Sequence, residues 1–274
     1  MQYREFKPDG PMARFIKCYW MLEDPSPSAE AQRIVPDGRP ELIFNLGQPF
    51  ESLVNGQWRR QPQSFIAGQI TRPILLRSSG PAKVLGIRFH PHGAHHILGL
   101  PLHELTDSVV ALDDVSVRLH QRLQSLGEPE TPGDHLATLD HAINELSQSD
   151  RDDKLLSAAI AKFERSGGSV DVARVADQLG LSSRQLQRRF HDAVGISPKL
   201  FSRMQRFQRV FQAMEAQTME SERLDWVNTA MDCGYYDQAH LIRDFREFSG
   251  KAPTALLAGE LDLARQFAQS AARP

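Results

Sequence analysis

Three neighbouring side chains have the types and spacing needed to recognise DNA bases. Arg184, Gln187 and Arg188 stand at i, i+3 and i+4, so on a helix they share one side. In the major groove, arginine pairs bidentately with guanine and glutamine with adenine. Leu186 and Phe190, at i and i+4, would bury the same helix against a neighbour. We favour DNA recognition over the alternative, a helical hairpin with a polar outer face.

The charge of the chain is unevenly distributed, and its basic part surrounds these side chains. The whole chain has 32 Lys and Arg against 34 Asp and Glu, a formal net charge of −2 that by itself disfavours a nucleic-acid partner. Residues 1–150 are acidic, with 14 basic and 18 acidic side chains, whereas 182–209 carries seven basic residues and one acid. Such a local excess attracts phosphates, although a solvated helix face would show it too.

An internal repeat places these side chains in a defined unit. Residues 172–198 and 227–253 share seven residue types in register: Ala176, Gly180, Leu186, Arg188, Phe190, Gly195 and Pro198 match Ala230, Gly234, Leu241, Arg243, Phe245, Gly250 and Pro253. In each copy a short apolar helix ends at a glycine, and a second helix follows after a capping residue. Ser182 or Ser183 is the cap in the first copy, and Asp237 is the cap in the second. The repeat predicts two helix-turn-helix units, over 172–193 and 225–248.

A helix over about 198–214 would join the two units. Its apolar stripe predicts core packing: Phe201, Met204, Phe207, Val210, Phe211 and Met214. A helix of roughly 17–20 residues is about 25–30 Å long, close to one turn of DNA, so two recognition helices could enter successive major grooves. The second recognition helix is almost neutral, and its outer side carries Gln238, Ala239 and Arg243.

The N-terminal part has a different periodicity. Short apolar runs separated by Gly, Pro and Asn predict antiparallel strands up to about residue 100, with a hairpin at Asn55-Gly56. Helical spacing begins near 113, with one apolar stripe at Val115, Leu119, Leu123 and Leu126 and a second at Leu136, Leu139, Ile143 and Leu146. The polar stretch 147–153 is a plausible linker. We therefore expect domains over 1–150 and 151–260, with a tail over 261–274.

Two cysteines exclude a disulfide scaffold or a cysteine-based zinc finger. A charged N-terminus and the absence of a long apolar run predict a cytoplasmic protein without a membrane span.

Residues 154–257 resemble the DNA-binding domain of AraC/XylS-type bacterial transcription regulators. The first unit matches through Val175-Ala176, Gly180-Leu181-Ser182, Leu186-Gln187-Arg188-Arg189-Phe190 and Gly195-Ile196-Ser197-Pro198, and the second through Ala230, Cys233-Gly234-Tyr235, Asp237-Gln238, Arg243, Phe245, Phe248, Gly250 and Pro253. The resemblance implies binding to double-stranded DNA through Ser182, Ser183, Arg184, Gln187, Arg188, Arg189, Asp237, Gln238, Ala239 and Arg243. Leu241, Ala252 and Leu257 depart from the usual pattern of the second unit.

The first 112 residues resemble an uncharacterised N-terminal domain of some of these regulators. In that family this part is generally a cupin-like barrel that senses a small molecule, followed by helices that dimerise. The expected fold class is therefore α+β and multidomain, a cupin-like β-rich barrel with trailing helices followed by an all-α domain of two helix-turn-helix units. Candidate effector-binding residues are Trp20, Glu41, Asn45 and Arg88. A homodimer is expected, and RNA polymerase is a further candidate partner.

A histidine cluster offers competing chemistry. Neutral imidazoles bind transition metals, and His90 and His92 are weak metal candidates, with His95 and His96 nearby. A polar strand end that leads into a helix explains the cluster equally well, and we expect no metal, no cofactor and no catalysis. Two alternatives stay open: a constitutive DNA-binding regulator without a ligand, and a metal-dependent cupin enzyme with a DNA-binding tail.

Overall fold

The strands form two antiparallel sheets in the N-terminal region. The computed structural model describes residues 1–27, 30–115, 117, 119, 121, 132–146, 152–220 and 226–256. Its strands are β1 Gln2–Phe6, β2 Ile16–Asp24, β3 Gln32–Ile34, β4 Glu41–Asn45, β5 Glu51–Val54, β6 Gln57–Arg60, β7 Ser64–Ala67, β8 Ile74–Arg77, β9 Ala82–Phe89 and β10 Val109–Ala111. One sheet has the order β1-β2-β9-β4-β7-β10 and the other β3-β8-β5-β6.

Local turn chemistry sets the connections between strands. Asn55 and Gly56 have φ of 51° and 77°, and they connect β5 to β6 where Val54 pairs with Gln57. Positive φ at both central residues is the requirement of a type I′ hairpin, so the hairpin predicted from Asn-Gly is confirmed. The turn over 35–40 joins the smaller sheet to β4, and Gly38 within it has φ of 79°.

Strand alternation gives the six-stranded sheet two different faces. On β4, Leu42 and Phe44 belong to a core with the helices, whereas Glu41, Ile43 and Asn45 face the second sheet. The same division holds on β2 and β9. The inner faces of the two sheets therefore enclose a space, and the outer face of the larger sheet is covered by helices.

Those covering helices are α1 Gly93–Leu98, α2 Leu112–Val115 and α3 Pro132–Leu146. Leu139 and Ile143 of α3 are fully buried in the core beneath the sheet, as their spacing predicted, and Leu119 joins them. The Tyr19 hydroxyl donates to Asp140 Oδ1 at 2.6 Å, which ties α3 to β2. Leu123 and Leu126, which belong with Leu119 to the first predicted stripe, lie outside the described residues.

The C-terminal region is entirely helical where it is described. It comprises α4 Lys154–Arg165, α5 Val172–Gln178, α6 Ser183–Val194, α7 Pro198–Glu220, α8 Trp226–Asp232, α9 Gln238–Ser249 and α10 Pro253–Leu256. The joining helix α7 has 23 residues, longer than predicted, which corresponds to about 34 Å. In the parts of the chain that are described, no helix is long and apolar enough to cross a bilayer.

The aromatic stripe of α7 holds the two helix-turn-helix units together. Phe201 packs against Phe163 and Phe190, with ring centroids 6.3 and 5.7 Å apart. Two turns further on, Phe207 packs against Phe245 and Phe248 at 4.8 and 5.4 Å. One helix therefore supplies the core of both units, which confirms core packing for this stripe.

The β-rich and helical regions also pack on each other. Val35, at the end of the smaller sheet, is buried in the hydrophobic cluster of the helical region. Gln208 of α7 donates to the Pro36 carbonyl at 2.5 Å, and the Thr106 hydroxyl donates to the Gly195 carbonyl at 2.7 Å. The turn over 35–40 is therefore a structural joint between the two regions.

Candidate nucleic-acid interface and ligand cavity

The first helix-turn-helix unit is fixed by its caps. Asp171 caps α5 by accepting from two backbone amides, and Gly180 follows that helix with φ of 66°. Ser182, rather than Ser183, caps α6: its hydroxyl accepts from Gln185 N at 3.2 Å, while the Gln185 side chain accepts from Ser182 N at 2.8 Å. This reciprocal capping box sets the direction in which α6 leaves the turn.

The outward side of α6 presents the predicted base-reading side chains. Leu186 and Phe190 are fully buried, whereas Arg184, Gln187 and Arg188 are exposed. These three exposed side chains line one open depression on the surface. Ser182 and Ser183, also exposed, lie at the helix N-terminus, where free amides favour a phosphate. The structure brings these five predicted residues together.

Several other basic side chains of the 182–209 segment form ion pairs or hydrogen bonds with other parts of the protein. Arg189 pairs with Asp153, which caps α4. Arg203 Nη2 contacts the buried Asp244 at 2.7 Å and also Glu247, and Arg206 Nη1 donates to the Gly168 carbonyl at 2.7 Å. Three of the seven basic side chains in 182–209 therefore hold the fold, and the basic surface is narrower than the sequence count implies.

The second unit repeats the geometry with fewer charges. Gly234 has φ of 81°, and the Asp237 carboxylate caps α9 by accepting from His240 N at 2.7 Å. Leu241 and Phe245 are buried, and the predicted contact residues Gln238, Ala239 and Arg243 are exposed. The sequence analysis did not include Tyr236 among the exposed residues near the second recognition helix, although its side chain is 87% exposed immediately before the cap. Its position next to the capping Asp237 was the signal in the sequence that could have pointed to it.

A cavity of about 150 Å³ lies between the two sheets and is lined by all four candidate effector residues, Trp20, Glu41, Asn45 and Arg88. Arg88 Nε donates to Glu41 Oε1 at 2.7 Å and lies 3.9 Å from Asp37 Oδ2. Burial raises the pKa of Glu41, and Arg88 opposes this. The predicted cluster therefore contains a buried ion pair, with Asp37 as a member that the sequence analysis did not assign to the ligand site.

The four histidines near residue 90 have separate structural roles. Arg39 donates to His90 Nδ1 at 3.4 Å, and His92 Nε2 lies 3.0 Å from the Ser157 hydroxyl. His95 Nδ1 lies 2.7 Å from the Leu100 carbonyl, and His96 stacks on Phe15 with ring centroids 3.6 Å apart. These contacts are those expected of a strand end packed against helices.

Two of these imidazoles make folding pH-dependent. Burial, reinforced by Arg39, lowers the pKa of His90 to about 3, and burial lowers that of His92 to about 4. Between pH 6.5 and 4 the unfolded chain therefore binds protons that the folded chain does not, so stability is complete above 6.5 and falls with pH. We expect the unfolding free energy at pH 5 to be lower than at pH 7.5 by about 1–2 kcal/mol for each histidine.

Urea unfolding at both pH values measures this effect. His90→Asn, which keeps an acceptor for Arg39, should reduce the pH dependence, whereas the same change at the exposed His141 should not. Equal pH dependence in the parent and in His90→Asn would contradict the assignment.

A second histidine group forms where the two regions meet. His103 stacks on His191 of α6 with ring centroids 3.9 Å apart, and their nitrogens and an Asp192 oxygen lie within 4.8 Å of one another. These residues come from positions about 90 apart, so no local pattern in the sequence could have grouped them. They place the N-terminal region directly against the end of the first recognition helix.

Comparison with known domain families finds one match in each region. Residues 175–259 match a helix-turn-helix domain family, and residues 4–111 match a domain of unknown function (DUF6597). No curated protein matches the chain.

The similar solved structures include ToxT from Vibrio cholerae, at 12% identity and a TM-score of 0.45, covering 86% of this chain and 97% of that chain. The AraC-like transcriptional activator CuxR has 13% identity and a TM-score of 0.30, covering 77% and 86%. A Cupin_2 domain of an XRE family transcriptional regulator from Enterobacter cloacae has 17% identity and a TM-score of 0.26, covering 33% and 96%. All three are distant structural similarities.

Proposed function

The chain carries a C-terminal helix-turn-helix domain of the AraC/XylS type, and on this premise we propose that it is a sequence-specific transcription regulator modulated by a small molecule. The effector occupies the cavity between the two sheets. A homodimer formed through the helices that follow the sheets, and contact with RNA polymerase, belong to the same proposal. A DNA partner in turn implies a cytoplasmic location.

The observation that carries this function is the exposed face of α6. Arg184, Gln187 and Arg188 project from a helix whose opposite side is buried and whose start is fixed by a capping box. Phosphate contacts at the helix N-terminus would set the register, and the three side chains would then read base edges. Arg189 is held by Asp153, so it contributes to the orientation of α6 rather than to base recognition.

Contacts of the turn over 35–40 support a link between the cavity and DNA binding. Asp37 and Gln208 both line the cavity, and Gln208 of α7 also donates to the Pro36 carbonyl. A Cβ at Gly38 would lie 3.0 Å from the Phe201 ring, so turn and helix are in close contact. An effector that shifts this turn would shift α7, and with it the population of arrangements that fit DNA.

Selection of binding sites from random duplex DNA tests the DNA-binding part. The full chain should enrich one sequence and protect more than one helical turn of it, because two recognition helices enter successive major grooves. Failure to enrich a sequence would refute specific recognition, and a footprint shorter than one turn would refute the use of both units.

The effector part needs a separate measurement. A compound that raises the melting temperature is added at saturation to the selected DNA complex, at one fixed salt concentration. A change in DNA affinity supports an effector. An unchanged affinity favours the constitutive alternative, in which the cavity has no regulatory role.

A further inference from the structure

We propose that the cavity selects a small arylalkylamine or similar molecule, apolar in its middle, with a protonated amino group at one end and a hydrogen-bond donor at the other. This ligand class deepens the proposed function and rests on it, because the cavity is the effector site there. Its basis is that both ends of the cavity present acceptors around an apolar middle.

The middle of the cavity is apolar. Trp20, Ile43, Phe50 and Phe65 line it, and the Trp20 ring lies against Gly86 of β9. A Cβ at Gly86 would lie 2.1 Å from Trp20 Cε2, so this glycine is required for the ring to lie against β9. A volume of about 150 Å³ is comparable to an engineered cavity that accepts benzene. The space therefore fits one aromatic ring with a short substituent.

At one end of the cavity, acidic groups outnumber basic ones. Five charged side chains line the cavity, the acids Asp37, Glu41 and Asp107 and the bases Arg39 and Arg88. Both guanidiniums are already paired, Arg88 with Glu41 at 2.7 Å and Arg39 with Glu164 at 2.9 Å.

Asp107 has its own partner, because it accepts twice from Thr71 at 2.6 Å. Asp37 remains as the less neutralised carboxylate, 3.9 Å from Arg88. A carboxylate ligand would have to displace one of these acids from its arginine, whereas an ammonium group adds to the existing pairs. The charge balance therefore favours a cation at this end.

Asn45 marks the other end. Its side chain is 1% exposed, and Nδ2 donates to the Pro62 carbonyl at 2.9 Å, which fixes the orientation of the amide. Its Oδ1 has no hydrogen-bond partner among the described residues. Buried acceptors in proteins are nearly always satisfied, so this oxygen calls for a donor from the ligand.

The two ends are a fixed distance apart. Glu41 and Asn45 lie on the same face of β4, four residues apart, which at about 3.3 Å per residue corresponds to about 13 Å between their Cα atoms. Both side chains leave the same face of the strand in parallel, so their polar ends are separated by a similar distance. An ammonium and a hydroxyl on opposite sides of one ring, each with a hydrogen bond to the protein, match that span.

Four matched probes test this selectivity by calorimetry on the full chain at pH 7.5. They are phenethylamine, tyramine (the same amine with a hydroxyl across the ring), 3-phenylpropionate and ethylbenzene. We expect phenethylamine to bind at least tenfold more tightly than 3-phenylpropionate, and tyramine at least fivefold more tightly than phenethylamine. Binding of 3-phenylpropionate as tight as that of phenethylamine, or no binding by any probe, overturns the ligand class.

Two variants locate the two ends. Asp37→Asn keeps the acceptor for Arg39 N and removes one charge, so it should reduce the preference for phenethylamine over ethylbenzene at least fivefold. Asn45→Leu should remove the preference for tyramine over phenethylamine. Glu23→Gln, an acid of the same sheet outside the cavity, is the matched control and should leave both ratios within twofold. Unchanged ratios in the first two variants would overturn the assignment of the ends.

DNA binding measured on the same samples separates this inference from the proposed function. If the amines bind with the expected ratios but DNA affinity does not change, the ligand class stands and the effector role fails. If a compound of another class alters DNA affinity while the amines do not bind, the effector role stands and the ligand class is wrong.

Discussion

Replacement of Arg184 and Arg188 together by alanine is expected to lower the affinity for the selected DNA site by about 30- to 25,000-fold. A good bidentate pair contributes about 1–3 kcal/mol of discrimination, and two such residues leave the same face of α6. Both side chains are exposed, so the fold should be retained. Fluorescence anisotropy with the selected duplex and with random duplex, at one salt concentration, measures the effect.

A matched removal of charge separates base recognition from general attraction. Arg59 and Arg60 on β6 are also exposed, and their double replacement by alanine should change affinity by less than about twofold, since screening limits the reach of surface charges. Arg243→Ala should cost less than the α6 double variant, because α9 presents one arginine beside Gln238 and Ala239. If the α6 double variant weakens selected and random DNA equally, these arginines contact phosphates instead of bases.

Gly168→Ala is expected to destabilise the helical region by more than about 3 kcal/mol and to abolish DNA binding. Gly168 has φ of 73°, and a Cβ there would lie 1.9 Å from the Ser202 carbonyl oxygen of α7. Its own carbonyl accepts from the Ser202 hydroxyl and from Arg206, each at 2.7 Å. Relieving the clash would therefore displace α7 from both partners, at the cost of strain and lost hydrogen bonds.

Gly180→Ala provides a control with nearly the same backbone strain. Gly180 has φ of 66°, but a Cβ there would meet nothing within 4 Å. Strain alone should cost about 1 kcal/mol at that position. Urea unfolding followed by circular dichroism compares the two variants, and equal losses would show that close packing on α7 is not the reason for glycine at 168.

The elements that sequence reasoning identified are those encoded by neighbouring residues. The Asn55-Gly56 hairpin, the glycine that ends α5 and the serine that caps α6 each depend on contacts within a few positions. Helical spacing likewise placed Leu186 and Phe190 inside. These signals were enough to predict the double helix-turn-helix, whereas the four candidate effector residues came from the barrel that the family resemblance implies.

What the sequence did not predict depends on partners distant in the chain. Arg203 and Arg206 belong to the basic stretch by composition, yet Asp244 and the Gly168 carbonyl bind them after folding. Val35 belongs to the β-rich region by position, yet it is buried among helices. Neither the partners of Arg203 and Arg206 nor the burial of Val35 is indicated by a local periodicity or a turn signature in the sequence. Composition therefore overestimated the DNA-facing charge and gave no sign of the joint between the regions.

The Val35 joint has a consequence for protein engineering. Chimeric biosensors are assembled by grafting the sensor half of one regulator onto the DNA-reading half of another, and the polar stretch 147–153 would be the obvious splice point. A graft cut there separates Val35 and Pro36 from the α7 surface, including Gln208, that they fit. In such a chimera, the turn over 35–40 and the α7 residues that contact it therefore have to come from the same protein. A splice that ignores them exposes an apolar surface on each half.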